Sequence, residues 1–303
     1  MNDFDPPVGV AVPVESGLRR IVAPNSSPMT FRGTNTYLVG TKGLAVIDPG
    51  PDDPAHLEAI LGAVGPDQQI THIIVTHSHL DHSPLARPLS EATGAPVLAY
   101  GAAEAGRSVA MLALVKSGMT GGAEGIDFSF VPDIELTDED VIKGDGWTLS
   151  AIHTPGHLGN HISLVWNDAC FTGDHVMGWA SSLVSPPDGD LTDFMASCAR
   201  LAGRSWRIFY PGHGDAIADP NARLDWLVAH RMGREAAILA TLVAGPARSD
   251  EIARSVYTDT PDALLPAATR NVLAHLIDLA GKSKVRALGP LTSDARFELV
   301  EPS

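Results

Sequence analysis

The chain has 303 residues, 44% of them hydrophobic and 19% charged, with a formal net charge of −15. That length fits one large domain or two with a substantial core, and no apolar run approaches the roughly 18 residues of a membrane span. The negative charge counts against a broad affinity for nucleic acid, which rests on Lys and Arg neutralising phosphates.

The charge is unevenly spread. From Ala247 to the end there are 7 basic and 8 acidic residues, a net −1, which leaves −14 for the rest. Residues 1–7 are acidic and lack the apolar centre of a secretory signal. Cys170 and Cys198 are the two cysteines, and they form no Cys-x-x-Cys pair, so no cysteine zinc site is indicated. The expectation is a cytoplasmic protein with two reduced thiols.

Residues 18–22 read as a first strand. Residues 36–39 and 44–48 read as a hairpin turned at Gly40-Thr41-Lys42-Gly43. Asp53 is an N-cap with Pro54 at the first helical position, starting a helix to about residue 64. Residues 70–75 are apolar, short and β-branched, and read as a buried strand. A helix over 84–93 ends at Gly94, and a strand follows over 97–100. Because a hairpin precedes the alternating strands and helices, a mixed sheet is expected rather than a parallel one. Residues 101–135 contain a helix-compatible apolar run at 109–115 and a Gly-rich loop at 118–125. Such a segment either shapes access to a site or is a plain surface excursion.

Residues 147–152 form the next strand, leading into His153-Thr154-Pro155-Gly156-His157, where Pro155 and Gly156 enforce a tight turn. Strands at 162–166 and 169–172 follow, the second ending in Gly173-Asp174-His175. A helix over 191–201 precedes a strand at 206–210 that ends in Pro211-Gly212-His213-Gly214. A long helix covers 221–243, with Leu224, Leu227, Val228, Leu239 and Leu242 at helical spacing. Gly245-Pro246 ends it and divides the chain into 1–245 and 246–303. Helices near 250–256 and 267–280 come next, then a two-stranded hairpin of 284–288 with 297–300.

The chemistry gathers at Thr76-His77-Ser78-His79-Leu80-Asp81-His82. In an extended segment side chains two apart point the same way. His77 and His79 can then reach one metal, while Asp81 and His82, past the turn, face a second. Imidazole suits zinc, and a carboxylate adds charge and a bridging option. Four strands in all end in turns holding His or Asp, at 77–82, 157, 174 and 213. Ligand groups collected at strand ends are how sheet scaffolds build sites.

The pattern His-x-His-x-Asp-His after a strand, followed by those three later turns, resembles the metallo-β-lactamase superfamily. The resemblance implies an α+β fold, an αβ/βα sandwich of two mixed sheets, and the C-terminal helices with their hairpin resemble a small winged-helix domain. It also implies a ligand set. His77, His79 and His157 would hold one metal, Asp81, His82 and His213 a second, and Asp174 would bridge. Two zinc ions per chain are expected, with iron or manganese compatible, and a hydroxide between them as nucleophile. Asp81 and Asp174 are the expected catalytic residues. Asp48 is a candidate to hydrogen-bond a ligand imidazole, and His153 to orient its loop. His161 and His175 flank ligands and are candidates for touching substrate. His56, His72, His230 and His275 read as structural.

The ligand types narrow the choice within the family. No Cys stands at a ligand position, unlike the β-lactamases with a thiolate ligand. His79 occupies the place of a Glu in redox di-iron relatives, and the retained His213 argues against the mono-iron dioxygenases. The resulting expectation is a binuclear zinc hydrolase acting on a small-molecule thioester, ester, lactone or lactam, away from membranes. The alternative is a single-strand-specific endoribonuclease of the β-lactamase-like type. The domain layout, the stretch Gly33-Thr34-Asn35-Thr36-Tyr37 and His230-Arg231-Met232-Gly233-Arg234-Glu235 resemble that group, but the tail is not basic. A third reading, a non-enzymatic metal-sensing winged-helix regulator, is opposed by the full ligand set, whose three protein ligands and shared carboxylate leave a position open for water on each ion.

Overall fold

The computed structural model describes residues 4–119 and 125–300. Two mixed sheets face each other. The first has seven strands in sequence order: β1 (Val12–Glu15), β2 (Leu18–Val22), β3 (Asn35–Val39), β4 (Gly43–Ile47), β5 (Gln69–Ile74), β6 (Val97–Ala99) and β7 (Ile134–Glu135). Strands β1 to β4 are antiparallel, and β4 to β7 are parallel. The second has five strands: β8 (Val141–Lys143), β9 (Thr148–His153), β10 (Ile162–Trp166), β11 (Ala169–Gly173) and β12 (Ile208–Pro211). Their order is β12-β11-β10-β9-β8, with only β11 and β12 parallel.

Strand alternation explains the layering. Along β4, Ala45 and Ile47 face the second sheet while Leu44 and Val46 face outward onto helices. In β11 and β12, Phe171 and Tyr210 face the first sheet while Cys170 and Phe209 face outward. Both faces of each sheet are therefore apolar, and each needs a helical cover. Helices α1 (Pro54–Gly62) and α2 (Ala86–Thr93) cover the first sheet through Ile60 and Leu89. The expected cap is in place, with Asp53 Oδ1 accepting from His56 N–H and Pro54 following it. Helices α4 (Leu191–Ala202) and α5 (Pro220–Leu242) cover the second sheet through Phe194, Leu201, Leu224 and Leu227. The αβ/βα sandwich is thus present.

Three strands of these two sheets were not legible in the sequence. β1 contains Pro13, which weakens a strand signal, and β7 and β8 are short and largely exposed. Residues 101–135 are more than a surface excursion, because they carry α3 (Val109–Lys116), capped by Ser108. Of the Gly-rich loop expected at 118–125, residues 120–124 lie outside the described residues. Among the described residues no helix is long and apolar enough to cross a membrane.

The C-terminal region has α6 (Ser249–Val256), a 3-10 turn (Asp262–Leu264) and α7 (Leu265–Gly281). Its sheet has three strands rather than the expected two: β13 (Ala247–Arg248), β15 (Arg296–Leu299) and β14 (Val285–Ala287), in that order. β13 is a two-residue strand inside what reads as linker, paired to β15 through Ala247 and Phe297. The core of this region crosses the expected boundary. Ile252, Val272, Leu276 and Phe297 share one cluster with Ile238 and Leu242 of α5 and with Met111 and Leu114 of α3. A segment this short has little apolar surface to close a core alone.

The two sheets are stitched at one edge. Asn35 N–H donates to Gly212 O (2.7 Å) and Ile162 N–H to Thr76 O (2.8 Å). The C-terminal ends of β5, β9, β11 and β12 all lead into turns there.

Candidate metal centre

The chain does not stay extended after β5, but bends at Thr76 and His77. His77 and His79 are nevertheless brought together. His77 Nε2 and His157 Nε2 each lie 3.0 Å from His79 Nδ1. His213 Nε2 lies 3.1 Å from Asp81 Oδ2 and 3.3 Å from His82 Nε2. Asp174 stands between the two sets. Its Oδ2 is 3.3 Å from His213 Nε2 and 3.7 Å from His157 Nε2, and its Oδ1 is 3.4 Å from His82 Nε2. The seven residues form two groups, His77, His79, His157 and Asp174 in one, and Asp81, His82 and His213 in the other. Within each group the ligand atoms lie within 4.8 Å of one another.

Contacts behind the rings aim them. His82 Nδ1–H donates to Asp48 Oδ2 (2.9 Å), and Asp48 also accepts from Thr76 N–H (2.7 Å) and Thr76 Oγ1–H (2.8 Å). Thr76 Oγ1 in turn accepts from His77 Nδ1–H (2.9 Å). His157 Nδ1–H donates to Leu183 O (2.6 Å) and His213 Nδ1–H to Gly33 O (3.2 Å). A proton committed outward leaves the Nε2 lone pair facing inward. His79 alone turns Nδ1 to the centre.

These residues fit a divalent metal. Lone pairs from His77 and His157 converge on His79 Nδ1, an arrangement that favours a cation between them. Asp174 Oδ1 is buried without a hydrogen-bond partner, a costly state unless an ion satisfies it. With zinc–nitrogen bonds of about 2.0–2.1 Å in a tetrahedron, ligand atoms stand roughly 3.3 Å apart, close to the separations seen.

The backbone around the cluster is specialised. A Cβ at Gly212 would lie 2.4 Å from Asp174 Oδ1 and 2.8 Å from His82 Cε1, so only glycine lets this turn approach. Asn35 Nδ2 donates to Pro211 O (2.9 Å) and Gly214 O (2.8 Å), tying down the turn that carries His213. Thr34 Oγ1–H reaches Asp81 Oδ2 (3.3 Å). In the sequence Asn35 and Thr36 stand out only as residues that resemble the family. An Asn inside an apolar strand was the available physical signal, since Asn is depleted there.

Of the flanking candidates, Asp48 does bond a cluster imidazole. His153 Nε2–H donates to Gly159 O (2.8 Å) and its ring stacks on Tyr100, so it holds the loop that carries His157. The expected substrate contacts of His161 and His175 do not materialise. Both are fully buried, and neither lines the open cavity. His161 Nδ1 bonds Thr154 Oγ1 (2.9 Å), and His175 packs on Phe194 with its Nε2 3.5 Å from Cys198 Sγ. The turns after β9 and β11 send these rings beneath the cluster. Both cysteines are free and buried.

The electrostatics divide the cluster. Burial disfavours charge on each imidazole and holds His77 well below the ordinary range, His79 down to about 3, and His157 lowered. Burial also opposes charge on His82 and His213, but the carboxylates outweigh it. Asp81, Asp174 and Asp48 lift His82 well above the usual value, and Asp174 with Asp81 lifts His213 to about 10. Burial pushes Asp81 and Asp174 up, yet His82 and His213 hold both well below the usual carboxylate range.

This sets an expected pH profile for the metal-free protein. The unfolded chain takes up protons near an imidazole pKa of about 6.5. The lowered set cannot follow in the folded state, so stability falls as pH drops from about 6.5 toward 3. The raised pair holds protons that the unfolded chain has lost, so its contribution is present below about 6.5 and disappears as pH rises through about 10. Melting temperature in chelator should peak near neutrality and fall on both sides. A divalent metal bound in place of those protons would flatten the alkaline arm. Thermal melts from about pH 5 to 10 check this, and a flat alkaline arm in chelator would contradict it.

The cluster floors a cavity of about 580 Å³. His79, Asp81, His157, Asp174 and His213 open onto it. Met29, Ile126, Leu158 and Leu183 form apolar walls, and Leu264, Pro266, Ala267 and Arg270 of the C-terminal region close the remaining side.

Comparisons with known proteins agree with this arrangement. Residues 29–213 match the metallo-beta-lactamase superfamily, and residues 249–290 match the beta-lactamase associated winged helix domain. The chain is 30% identical over 298 residues to the Beta-lactamase-like protein 2 homolog of Drosophila melanogaster, covering 95% of each. It is 28% identical over 269 residues to that of Caenorhabditis elegans, covering 86% of this chain and 82% of the other. A metallo-beta-lactamase family protein from Thermus thermophilus superposes with a TM-score of 0.75 at 25% identity, covering 95% of this chain and 100% of that one. A beta-lactamase domain protein from Burkholderia ambifaria shares the fold, with a TM-score of 0.81 at 21% identity over 98% and 96% of the two chains. With its histidines and aspartates gathered at the ends of both sheets and a winged helix closing the cavity above them, the chain belongs to the metallo-β-lactamase superfamily.

Proposed function

We propose that the protein is a binuclear zinc-dependent hydrolase of a small thioester, ester, lactone or lactam. One observation carries this reading: imidazoles of both ligand groups come within 3–4 Å of Asp174, on the floor of a largely apolar cavity sized for a small ligand. Bound divalent ions would supply Lewis acidity and a water of lowered pKa. The chain's own residues do the rest. Asp174 lies between the groups and sets their spacing. Asp81, its Oδ2 steadied by Thr34 Oγ1–H, borders the cavity and in its ionised form would hold an ion with His82 and His213. The apolar walls exclude bulk water from the acyl group. A cytoplasmic setting belongs to this reading, supported by the two free thiols.

The endoribonuclease reading draws less support. The one basic run of the tail is already paired: Lys282 with Asp278 (2.6 Å), Lys284 with Glu235 (2.9 Å) and Arg286 with Glu298 (2.5 Å). Few charges remain there to release counterions from a polyanion. A panel on the zinc-loaded protein tests both readings, using thioesters, lactones, a chromogenic cephalosporin and single-stranded RNA. Turnover of an acyl substrate with two ions per chain is expected, and RNA affinity at about 150 mM salt should be weaker than micromolar. RNA cleavage without acyl turnover, or one ion at saturation, would overturn the proposal.

A further inference from the structure

Residues 182–184 belong to no helix or strand, yet they sit against the metal centre. Leu183 O accepts the 2.6 Å bond from His157 Nδ1–H. A loop carbonyl without a ladder partner has no fixed place unless something else holds it. Here the hold comes from both sides. Val184 N–H donates to Oδ1 of Asn271, on α7, at 3.1 Å. Ser182 O accepts from Nη2 of Arg231, on α5. Arg231 Nη1–H also donates to Asn271 Oδ1 (2.9 Å), which closes the bracket. Ser182 Oγ–H donates to His175 O (2.8 Å).

Arg231 is 2% exposed and has no carboxylate partner among the described residues; its guanidinium lies over the Phe194 ring at 4.9 Å. An uncompensated buried cation is expensive, so its retention calls for a role, and the groups it touches are the bracket. The outer nitrogens of His77, His82 and His213 are held within the sandwich, by Thr76, Asp48 and Gly33. That of His157 traces instead to the winged-helix region.

We propose that Asn271 and Arg231 are positioning residues for His157: they fix the Leu183 carbonyl, which commits the imidazole proton to Nδ1 and aims Nε2 at the His77, His79, His157 and Asp174 group. The winged helix is then a working part of the metal centre, through one side chain on α7. This rests on the reading that the group holds a divalent metal.

The test is cobalt(II) titration of the whole protein with chelator competition, read by visible absorption. Asn271→Ala removes both acceptor bonds and should weaken one of two cobalt ions by about tenfold or more, with the second unchanged. Asn271→Asp offers the same acceptor oxygen to Val184 and Arg231 and should restore the affinity. Val285→Ala trims a buried side chain of β14 away from the bracket. It should lower the melting temperature and leave cobalt affinity as it was. Three results would each overturn the proposal: Asn271→Ala binding cobalt like the parent, Asn271→Asp as weak as Asn271→Ala, or Val285→Ala as weak as Asn271→Ala. If the unsubstituted protein binds no cobalt at this group, the metal reading itself falls and takes the proposal with it.

Discussion

His79→Ala and Asp81→Asn should each lower hydrolytic turnover by roughly a thousandfold while the fold survives. His79 offers Nδ1 to the point where His77 and His157 converge, each at 3.0 Å. Without it the first group keeps two imidazoles and one shared carboxylate. Asp81→Asn keeps the shape and removes the charge that faces His213 at 3.1 Å and His82 at 3.4 Å. Loss of a ligand forfeits several kcal/mol of transition-state stabilisation, and about 4 kcal/mol is roughly a thousandfold in rate. Neither residue belongs to the packed clusters between and outside the sheets, so both variants should fold. Metal-free His79→Ala should melt within a few degrees of the parent, and Asp81→Asn somewhat lower at neutral pH, because it loses a carboxylate that lifts His82 and His213. Turnover of the zinc-loaded variants on whichever acyl substrate the parent accepts is the measurement. A variant that keeps parental turnover removes its residue from the site.

The seven candidate ligands were legible because each sits where a strand pattern stops and a turn begins. The Pro155-Gly156 and Pro211-Gly212 signals mark such turns without any knowledge of the fold. Their convergence was not legible from the residues alone, since it depends on two sheets meeting at one edge, which long-range pairs such as Asn35 with Gly212 enforce. The supports were harder still. Thr76 reads as an ordinary strand-end residue, yet it links Asp48 to His77. Asn271 carries no signal of its own within the helix over 267–280, and Arg231 stands out only in the stretch His230-Arg231-Met232-Gly233-Arg234-Glu235 that resembles the endoribonuclease group. Burial and partners give these residues their meaning, and a linear pattern carries neither. His161 and His175 failed the opposite way: proximity in sequence to ligands suggested a contact that turn geometry directs inward.

Phe297→Ala should cost about 3–5 kcal/mol, a large share of a typical total of about 5–15 kcal/mol. Phe297 is fully buried on β15, opposite Ala247 of β13 and Ala287 of β14. Its cluster includes Met111, Leu114, Ile238 and Leu242, which belong to α3 and α5 rather than to the C-terminal segment. A shared core couples the two parts, so they should unfold in one transition. The tryptophans make this testable. All five, Trp147, Trp166, Trp179, Trp206 and Trp226, precede residue 246, so their fluorescence reports on the sandwich and its helices alone. If the core is shared, Phe297→Ala should lower the denaturant midpoint by tryptophan fluorescence as much as by far-UV circular dichroism, with an unchanged slope. A winged helix that folds by itself would give a different result: the circular dichroism transition would split, and the tryptophan midpoint would stay with the parent. Coincident shifts would mean that a loss in the distant sheet is felt by the layers that carry His77, His157, Asp174 and His213. The closed wall of the cavity and the stability of the two-sheet sandwich would then be two consequences of one packed core.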